Sequence, residues 1–117
     1  MNTKILNDIN QTIYQIISCH ETLKQDENLQ NMLLYSLGFN KDGTLLVSGK
    51  RLRPLFCCLS CGVISNNYQK GLQYGAALEM LHNYTLVHDD IEDNSDMRHN
   101  RPSLWKKKWG RISYQCR

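Results

Sequence analysis

Four acids fall within five residues, Asp89, Asp90, Glu92 and Asp93, and two histidines, His82 and His88, precede them. On a helix, Asp89 and Asp93 share one face a single turn apart, and His82 lies two turns before Asp89 on nearly the same face. Like charges at this spacing destabilise a helix by about a few tenths of a kcal/mol, and a divalent cation would offset that repulsion. A ligand set of oxygens without cysteine points to magnesium or manganese. The alternative is a solvated acidic helix end. It fits less well, because acids favour helix N-termini and these sit toward a C-terminal end. A calcium loop starting at Asp90 fails: its sixth position would be Ser95 rather than Gly, and its twelfth Arg101 rather than Glu. Asp96 falls outside the one-face pattern, and His88 is expected to be structural.

The charge distribution around these acids is uneven. The net charge is only +3, so composition alone does not demand a nucleic-acid partner. Five acids lie between Asp89 and Asp96, whereas Arg98 to Arg117 contains Lys and Arg but no Asp or Glu. An acidic cluster followed by a basic segment suits a metal-bridged anion such as a diphosphate; a merely solvated charged surface is the competing interpretation. Lys106, Lys107 and Lys108, between Trp105 and Trp109, form too short a tract to indicate nucleic-acid binding. A second basic segment, Gly49-Lys50-Arg51-Leu52-Arg53-Pro54, lies upstream.

The elements that must position these residues are helical. Ile5, Ile9, Ile13, Ile16 and Ile17 recur at helical spacing, extended by His20 and Leu23, and predict a first amphipathic helix. Leu29 to Leu37 predicts a second, stopped by Gly38, with a turn over Asn40 to Gly43. Pro54 suits the first turn of a helix over Leu55 to Ile64, apolar on most sides and therefore expected to be buried. Ser65-Asn66-Asn67 breaks it, and a long helix follows from about Leu72 to about Asp93. Arg98 to Ser103 predicts a loop or irregular stretch. No β-alternation or internal repeat is visible, so the fold class is all-α.

With 117 residues and 41% hydrophobic content the chain can form one small packed domain. Its five cysteines, Cys19, Cys57, Cys58, Cys61 and Cys116, are odd in number, and no secretory signal opens the sequence; a reduced, cytoplasmic protein is expected. Cys57, Cys58 and Cys61 have no second Cys/His pair at zinc spacing and read as small apolar fillers. No apolar run approaches the roughly 20 residues that span a bilayer.

Two segments carry a family resemblance. Gly49-Lys50-Arg51-Leu52-Arg53-Pro54 resembles the Gly-Lys-Arg-x-Arg-Pro signature of polyprenyl synthases, the trans-isoprenyl diphosphate synthases. Leu81 through Asp89-Asp90-Ile91-Glu92-Asp93 to Arg98 resembles that family's first Asp-Asp-x-x-Asp motif and its basic continuation. The resemblance implies the N-terminal part of the isoprenoid synthase helical bundle. It further implies a prenyltransferase that condenses isopentenyl diphosphate with an allylic diphosphate. Asp89, Asp90 and Asp93 would hold Mg2+, or Mn2+, on the allylic diphosphate, and Arg98 would contact that group. Lys50, Arg53 and His82 would bind the diphosphate of isopentenyl diphosphate. Tyr84 and Thr85, just before the aspartates, would set product length at about C15 to C20, with the C20 arrangement favoured by the single aromatic. A homodimer is implied for the full-length family member.

Three departures qualify these expectations. Family members commonly carry two arginines after the aspartates, the second binding isopentenyl diphosphate; here the pair is Arg98-His99, and an imidazole of pKa near 6.5 is mostly neutral at pH 7. The motif region is expected over 48–110, while 111–117 is expected to be a non-native tail from a shifted reading frame. A second aspartate-rich motif is lacking after Gly110, so residues 1–117 are expected to be a truncated domain that is inactive alone. A non-catalytic helical interaction module, or a gene remnant, is the alternative function.

Overall fold

A computed structural model of the protein describes residues 2–46, 49–98 and 101–108. Among the described residues six helices dominate: α1 (Asn2–Cys19), α2 (Glu21–Gln25), α3 (Glu27–Ser36), α4 (Leu52–Ser65), α5 (Leu72–Glu92) and α6 (Leu104–Lys108). A single 3-10 turn, Tyr68–Gly71, leads into α5. The all-α class is as the hydrophobic periodicity requires.

The isoleucine stripe of α1 forms the centre of the core. Ile5, Ile9, Ile13 and Ile17 are all buried, and with Leu34, Leu37, Phe39, Cys58 and Ala76 they make one cluster. Burying one such side chain contributes about 1.5–3 kcal/mol, so this single face accounts for much of what holds α1 against the rest. The stripe does not continue as one helix through Leu23. His20 is extended, with φ −71° and ψ 125°, and α2 starts afresh after it.

Helix α3 ends as its Gly38 suggests. Gly38 has φ 92°, its N–H donates to Tyr35 O (3.0 Å), and Phe39 N donates to Leu34 O (2.8 Å). This is the Schellman pattern, which satisfies the last carbonyls of the helix and returns Phe39 to the core. The following turn closes with Asn40 N donating to Thr44 O (2.7 Å). Gly43 is required there: φ is 93°, and a Cβ would stand 2.9 Å from the Tyr14 ring.

Two expectations are corrected. Helix α4 starts at Leu52, so Pro54 is its third residue, still within the first turn where a missing N–H costs little. It is also far from buried on most sides. Only Pro54 and Cys58 are buried, while Phe56, Val63 and Ile64 are 70%, 86% and 87% exposed. One face packs on α5 and the 3-10 turn, and no described element covers the other. The second correction concerns the stretch after α5. Met97–Arg98 (β1) pairs antiparallel with Arg101–Pro102 (β2), Met97 facing Pro102 and Arg98 facing Arg101. The pairing is fixed from outside: Ser103 N donates to Asp96 O (2.8 Å), Trp105 Nε1 to Ser95 O (2.8 Å) and Tyr35 Oη to Pro102 O (2.6 Å). Pro102 is tolerated because this is an edge strand. No described helix is long and apolar enough to cross a membrane.

Candidate functional site

The basic segment is held by its middle residue. Arg51 occupies the left-handed region, with φ 53° and ψ 36°, at the N-cap of α4. Its guanidinium is buried and spends three donors. Nε donates to Asn10 Oδ1 (3.1 Å), Nη1 to Glu79 Oε1 (3.0 Å) and Nη2 to Leu37 O (2.7 Å). Arg51 thereby ties α1, the end of α3 and α5 together. Left-handed backbone at a non-glycine residue costs about 1–2 kcal/mol, and these bonds are what hold it there. Lys50 and Arg53, on either side, both line a cavity of about 330 Å3.

Helix α5 provides one wall of that cavity. Glu79, His82, Asn83, Leu86, Val87 and Asp90 face it, at the three- and four-residue spacing of a single helix face. Asn83 is oriented by donating Nδ2 to Ser36 Oγ (2.8 Å). Arg98 and Arg101, from the paired strands, and Tyr35, from α3, line it as well. The structure therefore gathers Lys50, Arg53, His82 and Arg98 around one cavity.

The aspartates divide into two environments. Asp90 is buried, and both its oxygens accept from Arg98, Oδ2 from Nε and Oδ1 from Nη2, each at 2.8 Å. Those bonds hold the Arg98 guanidinium above its already high ordinary value, which keeps the cation fixed beside the cavity. Asp89 and Asp93 are exposed, Asp93 as the C-cap of α5. The carboxylate of Asp89 stands with His88 and Glu92, whose ligand atoms and its own all lie within 4.8 Å of one another. His88 Nδ1 lies 3.3 Å from Glu92 Oε1.

Tyr84 and Thr85 do not line the cavity. Tyr84 is 65% exposed with its ring 6.3 Å from that of His88, and Thr85 donates to His82 O (2.6 Å). His99 lies outside the described residues, as does the stretch 109–117.

Sequence reasoning missed Arg51, Glu79, Arg101 and Tyr35. Arg51 was within reach, since it sits inside the quoted basic motif. Tyr35 and Arg101 carried no signal, because they meet only through the hairpin: the Arg101 guanidinium carbon stacks 4.0 Å from the centre of the Tyr35 ring. Among the thiols, burial pushes Cys58 upward, helped by its neighbours Cys57 and Cys61, so it stays protonated as an inert filler.

The polyprenyl synthetase family model matches residues 39–113, which span the basic motif, the α5 wall, the aspartates and the hairpin. The chain is 47% identical over 62 residues to a geranylgeranyl diphosphate synthase of Saccharolobus solfataricus, covering 53% of this chain and 18% of that protein. It is 34% identical over 107 residues to a farnesyl diphosphate synthase of Bacillus subtilis, covering 89% of this chain and 33% of that protein. Geranylgeranyl pyrophosphate synthase 7 of Arabidopsis thaliana, a chloroplast protein, is 31% identical over 102 residues, covering 86% and 26%. The chain thus spans between 18% and 33% of the length of these relatives. No solved structure matches it. A match over more than half of the chain, centred on the residues that build the cavity, makes this protein a member of the polyprenyl synthetase family.

Proposed function

We propose that this chain forms the first half of the active site of a short-chain prenyltransferase, which condenses isopentenyl diphosphate with an allylic diphosphate. The observation that carries the reading is a charge surplus in one cavity. Lys50, Arg51, Arg53, Arg98 and Arg101 line it against two carboxylates, Glu79 and Asp90. Each carboxylate is consumed by an arginine, Glu79 by Arg51 and Asp90 by Arg98. Lys50, Arg53 and Arg101 are left to face a polyanion.

In this reading the isopentenyl diphosphate lies with its diphosphate on Lys50 and Arg53, and His82 donates to it from α5. Asp89 and Asp93, exposed on the last turn of α5, would hold magnesium; carboxylate oxygens are the donors that this hard cation prefers. When bound there, magnesium would neutralise the departing diphosphate of the allylic substrate. Arg98, locked by Asp90, adds a fixed cation toward the same group. The allylic carbon–oxygen bond breaks with its electron pair leaving on diphosphate, the double bond of isopentenyl diphosphate attacks the resulting cation, and loss of a proton yields a chain one isoprene unit longer. The product length of about C15 to C20 rests on the names of the relatives, since Tyr84 is exposed and lies outside this cavity.

The relatives of this chain are named geranylgeranyl and farnesyl diphosphate synthases, which supports the substrate class. A second reading, a helical interaction module, draws on the exposed Phe56, Val63 and Ile64 of α4. Calorimetric titration of the purified chain with inorganic pyrophosphate separates the two. The prenyltransferase reading expects binding that strengthens with magnesium and fails in a Lys50→Gln, Arg53→Gln variant. A chain indifferent to pyrophosphate with and without magnesium overturns it.

A further inference from the structure

We infer that Arg101 is a binding residue for the homoallylic diphosphate, completing a three-cation cradle with Lys50 and Arg53; this rests on the prenyltransferase reading above. The inference starts from how the cations around the cavity are occupied. Arg51 is spent on three protein acceptors, one of them the Glu79 carboxylate. Arg98 is spent on both oxygens of Asp90. Neither can turn its full fork of donors to a ligand without leaving a buried carboxylate unpaired. Arg101 differs. It lines the same cavity, and among the described residues no carboxylate pairs with it.

What holds Arg101 is an aromatic ring. Its guanidinium carbon lies 4.0 Å from the centre of Tyr35, and the Lys107 ammonium lies 3.8 Å from the same centre. Contact with the ring holds the guanidinium without consuming its N–H donors, which arginine can turn bidentately to an anion. The ring is positioned in turn: Tyr35 Oη donates to Pro102 O (2.6 Å), the carbonyl next in sequence to Arg101. The hairpin register adds the last constraint, because Arg98 faces Arg101 across β1 and β2 and Arg98 is pinned to Asp90. Tyr35 contacts Arg101 directly, while Asp90 acts on the strand opposite it through Arg98.

Direct titration of the whole chain with inorganic pyrophosphate, without magnesium, tests this. Arg101→Gln and Arg53→Gln should each weaken binding by about tenfold or more. Arg101→Lys should recover part of the loss, and Lys24→Gln, remote in α2, should bind as the parent does while controlling for net charge. In the unmodified chain the Nε–Hε resonance of Arg101 should shift on adding pyrophosphate, a measurement that does not depend on any variant folding. Binding lost in Arg53→Gln but unchanged in Arg101→Gln, or an unmoved Arg101 resonance while that of Arg53 shifts, overturns the role of Arg101 and leaves the prenyltransferase reading standing. A parent chain that binds no pyrophosphate either with or without magnesium overturns both.

Discussion

Arg51 and Glu79 form an ion pair of 3.0 Å whose side chains are only 4% and 9% exposed. The pair joins the start of α4 to the middle of α5, and Asn10 and Leu37 supply the remaining acceptors. Its position makes it structural support for Lys50 and Arg53 rather than a ligand.

Removing one partner strands the other. Glu79→Leu leaves the buried guanidinium of Arg51 without its counter-ion and should destabilise the chain by about 3–5 kcal/mol. Glu79→Gln keeps an acceptor for Nη1 and should cost less, about 1–2 kcal/mol. Urea unfolding of the two variants gives the order; equal losses would mean that charge plays no part in the pair.

Two glycines should respond oppositely to alanine. A Cβ on Gly75 would stand 3.1 Å from both Cα and Cβ of Pro54 and 3.2 Å from its carbonyl oxygen, where backbone cannot easily retreat. Gly75→Ala should therefore destabilise by about 1–3 kcal/mol, outweighing the gain in helix propensity. A Cβ on Gly62 would make an ordinary 3.5 Å contact with Tyr68. Gly62→Ala should stabilise α4 by about 0.5–1 kcal/mol. Thermal melts of both decide the point, and a stabilised Gly75→Ala would show that α4 and α5 are not closely docked at Pro54.

Much of this architecture is legible in the sequence, for reasons tied to range. The Ile5–Ile9–Ile13–Ile17 stripe encodes its burial locally, since helical spacing alone brings the four together. The convergence of Lys50 and Arg53 with His82 is legible because each sits at a fixed place within a recognisable motif. Asp90 is less so. Its neighbours Asp89 and Asp93 follow from the turn of the helix, but its pairing with Arg98 depends on the chain returning through the hairpin. Arg101 is least legible, because Tyr35 and Pro102, which place it, meet across 67 residues of sequence. The exposed side of α4 misleads for a different reason: an apolar composition states what a helix can bury, not what is present to cover it.

Alkaline pH should loosen the contact between α1 and the 3-10 turn. Tyr68 Oη donates to Asp8 Oδ2 (2.6 Å), and this bond, ahead of desolvation, raises the phenol above its ordinary 10.0. A folded-state value above the unfolded one favours the neutral phenol in the fold. The stabilisation is therefore complete below about pH 10 and is lost as pH rises through the folded value. Urea midpoints measured between about pH 8 and 11 should fall more steeply for the parent than for Tyr68→Phe, with the variant less stable at the low end. Parallel pH profiles would show that the phenol contributes nothing through this bond.

The two environments of the aspartates predict that neighbouring residues fail in different ways. Asp90 is buried and satisfies both donors that Arg98 aims at it, so Asp90→Asn removes a charge partner and one good acceptor. Arg98 is itself 33% exposed and can regain some hydration, which keeps the cost to about 1–3 kcal/mol rather than that of a fully buried pair. Asp89 is exposed at the C-terminal end of α5, where a negative charge opposes the helix dipole. Asp89→Asn should leave stability within about 0.5 kcal/mol of the parent, or raise it slightly. Metal affinity should follow the reverse order. With pyrophosphate present, manganese binding followed by electron paramagnetic resonance should collapse in Asp89→Asn. It should persist in Asp90→Asn at a temperature where that variant is still folded. Loss of manganese binding in Asp90→Asn with Asp89→Asn unaffected would instead make Asp90 the metal ligand, and would require Arg98 to release its carboxylate when the site fills.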